Sequence, residues 1–250
     1  MAKADKPLSG KSALVIGGSR GMGAAIAKRL GADGANVAIT YLSNAKAAKA
    51  VTTACEKSGG KSLAVKADAG DIAATGKAIK KAAKTLGGLD ILVYSPVSIG
   101  GGKIDEVTEE TFDRAIDVNI KGLFFAAQTA AGIMNDGGRI IAIGSVFSQF
   151  VPLPGLDMYA MSKSAMMGLV KAWARDLAER NICVNCIQPC PIHTDMNDPT
   201  NDFGKLLASM TALKRHGKVE EIAGMASYLA GPTGGYVTGT ILNCDGGMTL

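Results

Sequence analysis

Short, almost uninterrupted apolar runs alternate along the chain with longer segments in which apolar residues recur every three or four positions. Strands whose residues are all apolar are covered on both faces, as in a parallel sheet with helices on either side. The apolar runs predict strands at residues 12–16, 37–40, 62–65, 91–94, 139–143, 182–187 and 241–243. The periodic segments predict helices at residues 22–33, 45–57, 72–86, 109–134, 158–180 and 220–229.

This alternation runs to the C-terminus without a linker, a repeat or a change of composition. The pattern therefore predicts one α/β domain over residues 1–250, a Rossmann-type doubly wound parallel sheet of about seven strands. Only residues 189–218 form a long irregular stretch, which is rich in Pro, Asn, Asp and Thr. Long loops in compact domains are usually functional, so we expect this one to close over a substrate as a lid.

Composition excludes several classes of protein. The chain begins without an apolar run and contains no uncharged apolar stretch of about 18 residues, so we expect a cytoplasmic protein that does not bind a membrane. The net charge of +5 is spread along helical segments, and aromatic residues make up only 5% of the chain. Because single-stranded nucleic acid is bound through stacked aromatics in a basic groove, we expect no nucleic-acid partner.

The five cysteines are an odd number and give no sign of a disulfide framework. Cys183, Cys186 and Cys190 lie close together in sequence, with His193 as the nearest imidazole. No further ligand has suitable spacing, so we expect no metal site and interpret these thiols as packed in a strand and its exit loop.

A glycine-rich segment, Gly17-Gly18-Ser19-Arg20-Gly21-Met22-Gly23, separates the first predicted strand from the first predicted helix. Glycine allows the backbone to approach a diphosphate closely, and the helix N-terminus offers free N–H groups and a partial positive charge. A plain tight turn is the alternative, but the strand before and the helix after favour dinucleotide binding.

The end of the second predicted strand indicates which dinucleotide binds. An NAD site places an acid there for the ribose hydroxyls, whereas this strand ends in Tyr41 followed by Leu42, Ser43 and Asn44. Arg20 supplies a cation that can reach the same corner, unless it only caps the turn. We therefore predict NADP(H) as the cofactor.

Tyr159 and Lys163 are four residues apart at the start of a predicted helix and thus share one face. A phenol titrates near pH 10, so a catalytic tyrosine needs a nearby cation to favour its phenolate. By spacing alone, an ordinary surface pair on a helix is the better explanation. Ser145 follows a predicted strand at the ligand-binding edge of the sheet, and Asn119 lies mid-helix, where a short amide needs a partner.

Together these residues resemble the short-chain dehydrogenases/reductases of about 250 residues, a group that includes 3-oxoacyl carrier-protein reductases and fungal hydroxynaphthalene reductases. The resemblance covers essentially the whole chain and includes Asp245-Gly246-Gly247 near the C-terminus. It implies that Tyr159 is the general acid, Ser145 binds the substrate carbonyl, Lys163 holds the nicotinamide ribose and lowers the tyrosine pKa, and Asn119 anchors a water. The cofactor contacts that it implies or leaves open are Gly17, Ser19, Arg20, Gly21, Met22, Gly23, Tyr41, Ser43, Asn44, Asp68, Ala69, Ser95, Pro96, Tyr159, Lys163, Pro189, Ile192 and Thr194.

The chain departs from the family at two places beside the expected cofactor. Tyr94-Ser95-Pro96-Val97 replaces the usual Asn-Asn-Ala-Gly, and a valine adopts positive φ only at a cost. Cys190 replaces a glycine and narrows the pocket. The loop before Tyr159 is one residue longer than in many relatives, and we expect Phe147, Phe150 and Leu156 to line the substrate site.

The predicted function is reduction of a ketone to a secondary alcohol with NADPH. Two alternatives remain: oxidation of the alcohol by the same residues, and a regulatory protein on the same fold, because residues 191–195 and 213–217 resemble a bacterial subgroup that includes a cyclic-dinucleotide-binding protein. We interpret His193 and His216 as exposed loop residues. The helices at 109–134 and 158–180 resemble those that pair across subunits in this family, which implies a homotetramer.

Overall fold

A computed structural model describes residues 6–250, which are built around one sheet of seven parallel strands. The order across the sheet is β3-β2-β1-β4-β5-β6-β7, so the direction of winding reverses between β1 and β4. The predicted fold and every predicted strand are confirmed, with ends that differ by at most two residues. The strands are β1 (Ser12–Ile16), β2 (Asn36–Tyr41), β3 (Ser62–Lys66), β4 (Ile91–Tyr94), β5 (Arg139–Ile143), β6 (Cys183–Pro189) and β7 (Ile241–Cys244).

Helices cover both faces of the sheet. One face carries α1, α2 and α8, through side chains such as Ile26, Val51 and Ile222, and the other carries α3, α5 and α6. This double cover explains why the central strands are apolar without alternation. The helices are α1 (Gly21–Ala32), α2 (Ala45–Lys57), α3 (Ile72–Leu86), α4 (Glu109–Ile116), α5 (Gly122–Ala131), α6 (Asp157–Asp176), α7 (Asp202–Met210) and α8 (Val219–Ala230).

The structure differs from the predictions in three places. The predicted helix at 158–180 ends at Asp176, and a 3₁₀ turn, Ala178–Arg180, follows it. The segment 109–134 is not one α-helix, because a π-helical turn, Asp117–Lys121, separates α4 from α5. The stretch 189–218 is not wholly irregular, since it contains α7, which Asn201 caps by accepting a hydrogen bond from the Gly204 N–H at 2.7 Å.

Residues 1–5, which include most of the N-terminal segment considered above, lie outside the described part of the chain. None of the helices in residues 6–250 has both the length and the hydropathy needed to cross a bilayer. β1 and β4 are paired up to their carboxyl ends, and the chain then leaves them toward helices on opposite faces of the sheet. Open α/β sheets bind ligands at the edge where the winding reverses in this way.

Candidate active site

The glycine-rich turn joins β1 to α1 and forms the floor of a cleft of about 200 Å³. Gly17 has φ +75°, and a Cβ there would lie 3.0 Å from the backbone nitrogen of Pro96 in the loop after β4. A Cβ on Gly23 would collide with the Gly17 carbonyl. Glycine is therefore required at both positions. Because glycine has no side chain, the first N–H groups of α1 stay accessible to an anion.

The corner of this cleft at the end of β2 is lined by Arg20, Tyr41 and Leu42. Arg20 occupies the N-cap position of α1 and lines the cleft, and its guanidinium carries only donors, so it cannot cap the helix N–H groups. Its guanidinium is thus available to a phosphate. Ser43 and Asn44 do not line the cleft, and the Asn44 side chain caps α2, accepting from the Ala47 N–H at 2.9 Å. Their contact with a cofactor stays a prediction.

Asp68 and Ala69 line the same cleft beyond the end of β3. Asp68 Oδ1 accepts hydrogen bonds at 2.9 Å from the Arg114 guanidinium and at 2.9 Å from the Gly70 N–H. Partial burial acts to raise the pKa of Asp68, but these two donors more than offset it, and the pKa lies below its ordinary value. Arg114 was not predicted, because nothing in its local sequence distinguishes it from other helical arginines.

The Tyr94-Ser95-Pro96-Val97 segment is fixed by contacts that differ from those expected of Asn-Asn-Ala-Gly. The fully buried Tyr94 side chain donates its hydroxyl proton to the Val118 carbonyl at 2.5 Å, inside the π-helical turn. Val97 does not have positive φ, so valine is accommodated without the strain expected from the sequence. Ser95, Pro96 and Val97 all line the cleft.

Asn119 lies in the same π-helical turn and is completely buried. Its Oδ1 accepts from the Ser98 N–H at 2.9 Å, and its Nδ2 donates to the Ser98 carbonyl at 2.9 Å and to Ser162 Oγ at 3.0 Å. The side chain therefore joins the loop after β4 to α6. Ser98 and Ser162 were not singled out from the sequence, since each is a common residue in an unremarkable context.

Ser145 and Tyr159 both line a second cavity, of about 250 Å³. Ser145 follows β5 and caps a short 3₁₀ turn, accepting from the Phe147 N–H at 3.2 Å. Burial raises the pKa of Tyr159 to about 12, the neighbouring Ser145 hydroxyl opposes that rise, and Cys190 adds to it. At neutral pH the phenol is therefore protonated and can act as a proton donor.

Lys163 is 2% exposed and lines neither cavity. Its Nζ donates to the Ile143 carbonyl at 2.9 Å and lies 5.7 Å from the centre of the Tyr159 ring. Burial lowers the pKa of Lys163 to about 8. Burial is the largest influence on the Tyr159 pKa and raises it, so the lowering by Lys163 that the family resemblance implies stays a prediction.

The second cavity is mostly apolar. It shares Met22, Val97, Thr194 and Met196 with the glycine-lined cleft, so the two cavities adjoin at these residues. Phe147 and Leu156 line it as predicted, but Phe150 does not and is 40% exposed. The remaining lining residues are Ile99, Gly144, Ser145, Tyr159, Pro189, Cys190, Pro191, Ile192, Asn197, Phe203 and Leu207.

Thr194 is thus positioned at the junction, where a nicotinamide would have to lie, while Pro189 and Ile192 face the second cavity alone.

Cys190 is 9% exposed and packs with Phe147, Leu207 and Met248. Burial raises the pKa of its thiol to about 12, so the group is an uncharged part of the wall.

Comparison with known proteins agrees with this arrangement. A family model described as Enoyl-(Acyl carrier protein) reductase matches residues 16–249. The "Cyclic-di-GMP-binding biofilm dispersal mediator protein" of Escherichia coli (strain K12) is 41% identical over 238 residues, which are 95% of this chain and 97% of that protein.

Two solved structures are similar over nearly the whole chain. The short-chain dehydrogenase/reductase from Serratia marcescens BCRC 10948 is 50% identical, with a TM-score of 0.96 over 98% of this chain and 100% of that one. A short chain dehydrogenase from Burkholderia cenocepacia J2315, solved in complex with NADP, is 41% identical, with the same TM-score and the same coverage. This chain belongs to the short-chain dehydrogenase/reductase family of oxidoreductases.

Proposed function

We propose that this protein uses NADPH to reduce an uncharged, apolar ketone to a secondary alcohol. One observation carries the proposal: Ser145 and Tyr159 line an apolar cavity that shares a wall with the glycine-lined cleft. A carbonyl oxygen placed between the two hydroxyls would be polarised by both while its carbon faces the junction.

The residues of the cleft fit NADP(H). The glycines of the turn permit close approach to a diphosphate, Arg20 is free to bind a 2′-phosphate, and Asp68, which would repel that phosphate, is neutralised by Arg114. The Burkholderia cenocepacia relative was solved with NADP, which supports the same cofactor here. When bound, the reduced nicotinamide supplies hydride.

The protein's own residues then supply binding and a proton. Ser145 donates a hydrogen bond to the substrate oxygen, and Tyr159 gives that oxygen its phenolic proton as the alcohol forms. Lys163, whose charge is buried beside the tyrosine, stabilises the phenolate that remains. Asn119 holds the loop after β4 against α6 and so supports the wall at the junction.

The lining of the second cavity suggests the substrate class. Within residues 6–250, no Asp, Glu, Lys or Arg side chain lines it. A substrate carrying a phosphate or carboxylate at this position would lose its hydration without gaining a partner, which is costly. Cyclic or aromatic ketones match the aromatic and aliphatic walls, and residues 189–218 act as the lid that completes them.

A panel of ketones assayed by NADPH consumption tests this function. We expect neutral cyclic and aromatic ketones to react and charged keto acids to react at least tenfold more slowly. The panel includes an enoyl thioester, since the matching family model is named for enoyl reduction. Exclusive reduction of that carbon–carbon double bond, or a clear preference for NADH, would refute the proposal.

The second candidate function is cyclic-dinucleotide binding. It is favoured by the 41% identity to the E. coli cyclic-di-GMP-binding protein, and Arg20 and Arg114 give the cleft two cations for phosphates. Isothermal titration with cyclic di-GMP, with and without saturating NADPH, tests it. Tight binding together with no turnover of any ketone would favour this candidate over catalysis.

We propose reduction as the physiological direction because cells usually keep this cofactor reduced, although the same residues would catalyse oxidation.

The proposed assembly is a cytoplasmic homotetramer formed through α4, α5 and α6. Phe112, Phe124 and Met161 on these helices are exposed apolar side chains, which supports this interface. Light scattering should give about four times the 25.6 kDa chain mass.

A further inference from the structure

His216 is a buried histidine in the segment that closes the substrate cavity. Its side chain is 8% exposed, which corrects the prediction of an exposed loop residue, whereas His193 is exposed as expected. The His216 Nε2 lies 2.8 Å from the Gly204 carbonyl, and because a carbonyl only accepts, this nitrogen carries the proton. Within residues 6–250, Nδ1 has no hydrogen-bond partner.

The hydrogen bond from His216 reaches the first turn of α7, which forms one wall of the cavity. Phe203 and Leu207, on either side of Gly204, both line the cavity. Gly204 itself packs so closely on Asp198 and Pro199 that a Cβ would collide with their backbone. The position of this turn therefore determines where Phe203 and Leu207 lie.

The residue that follows His216 is bonded to a second part of the cavity wall. The Gly217 N–H donates to the Pro191 carbonyl at 2.9 Å, and the Gly217 carbonyl accepts from the His193 N–H at 2.9 Å. Pro191 and Ile192 line the cavity next to Cys190. His216 thus lies between two walls, with its backbone neighbour bonded to one and its side chain bonded to the other.

We propose that His216 is a positioning residue that sets the separation of these two walls and thereby the size of ketone that the site accepts. This inference rests on the proposed function for its substrate. The imidazole acts through α7 and does not itself line the cavity. Removal of its Nε2 donor would release α7 from the Gly217 segment while the sheet and the cofactor cleft keep their structure.

The test compares His216→Leu, which stays apolar but has no donor, with His216→Gln, whose amide nitrogen reaches about as far as Nε2. His193→Leu is the matched control, since it removes an exposed histidine of the same segment. Hydrogen exchange is measured on the NADPH-bound proteins, so the readout does not require turnover. We expect the amides of α7 to exchange about fivefold faster in His216→Leu and near the wild-type rate in the other two variants.

Kinetics provide the second readout. For a ketone that fills the cavity, KM should rise about fivefold in His216→Leu, with the KM for NADPH unchanged and the preference shifted toward larger ketones. Unaltered α7 exchange in His216→Leu overturns the inference. If that variant does not fold, His216→Asn replaces it, since its shorter amide cannot reach Gly204, and equal exchange in the Asn and Gln variants then overturns the inference. Absence of ketone turnover in the wild type would contradict the proposed function but leave the exchange result interpretable.

Discussion

Lys163 lies over the Tyr159 ring, with its Nζ 5.7 Å from the ring centre and its hydrogen bond given to the Ile143 carbonyl. A buried cation beside a buried phenol is an unfavourable arrangement for folding alone, because each group loses hydration. The opposite movements of their pKa values, down for the lysine and up for the tyrosine, reflect this shared cost. Such perturbation is typical of a catalytic pair.

Substitution of Tyr159→Phe removes the proposed proton donor while keeping the ring that packs against Phe147. We expect kcat for ketone reduction to fall by about 10²–10⁴-fold, the usual contribution of a general acid. NADPH affinity, measured by fluorescence titration, should change less than about twofold because the cofactor cleft is untouched. A variant that keeps a tenth of the wild-type kcat would exclude this role.

The pH dependence of reduction should follow Lys163. Its pKa is lowered to about 8 by burial, so the stabilising charge is present below that pH and is lost as pH rises through it, while Tyr159 remains protonated. We therefore expect kcat/KM to be level near pH 7 and to fall above pH 8. In Lys163→Arg the fall should move beyond pH 10, because a guanidinium stays charged. The control is Lys171→Arg, an exposed position on the same helix.

Arg20→Ala should weaken NADPH binding selectively. Loss of a charge-assisted bond to the 2′-phosphate predicts a rise of about tenfold or more in the KM for NADPH, with little change for NADH. The matched control is Lys28→Ala, which removes an exposed cation from α1 outside the cleft. Equal effects on both cofactors would show that Arg20 only shapes the turn.

Glu221 links α8 to residues 215–218 just before it and makes stability depend on pH. Its carboxylate accepts from Arg215 at 2.7 Å and from the Lys218 N–H at 2.6 Å, and the Arg215 bond chiefly lowers its pKa to about 2. Because the folded pKa is below the ordinary value, this stabilisation is full above about pH 4.5 and is lost as pH falls through 2.

Urea unfolding checks this expectation. At pH 7, Glu221→Gln should lower the free energy of unfolding by about 0.5–1 kcal/mol, a small value because the pair is exposed. The difference from wild type should shrink at pH 3. Glu220→Gln, at the exposed neighbouring position, should match the wild type at both pH values.

The sheet could be predicted closely because each strand is a continuous apolar run between polar turns, and burial on both faces leaves a clear mark in the sequence. The π-helical turn at Asn119 could not, since its extra residue is accommodated by the Tyr94 hydroxyl, which comes from a strand 24 residues earlier. Helix α7 was missed for a similar reason. Its sequence is polar at the start, and its first turn is bonded to Asn201 and His216, which lie outside the helix.

In the site as well, residues in local motifs could be predicted from the sequence and residues that depend on distant partners could not. Ser145, Tyr159 and the glycine turn belong to local motifs, and the structure brings them to one edge of the sheet. Phe150 was misplaced and His216 was wrongly expected to be exposed, because a loop's sequence does not reveal which side of it faces the protein. Arg114, Ser98 and Ser162 act through partners far away in sequence, which only the folded chain identifies.

The close approach of Gly17 to Pro96 also matters for engineering. The turn after β1 and the loop after β4 pack so closely that a Cβ on Gly17 would crowd the Pro96 backbone. The conformation of each segment therefore depends on the other. If only one segment were replaced by that of a relative, it would not pack correctly against the other, whereas replacing both together would preserve the packing. Redesign of cofactor preference is therefore best confined to the outer corner at Arg20, Tyr41 and Leu42, where side chains can change without disturbing the backbone contact.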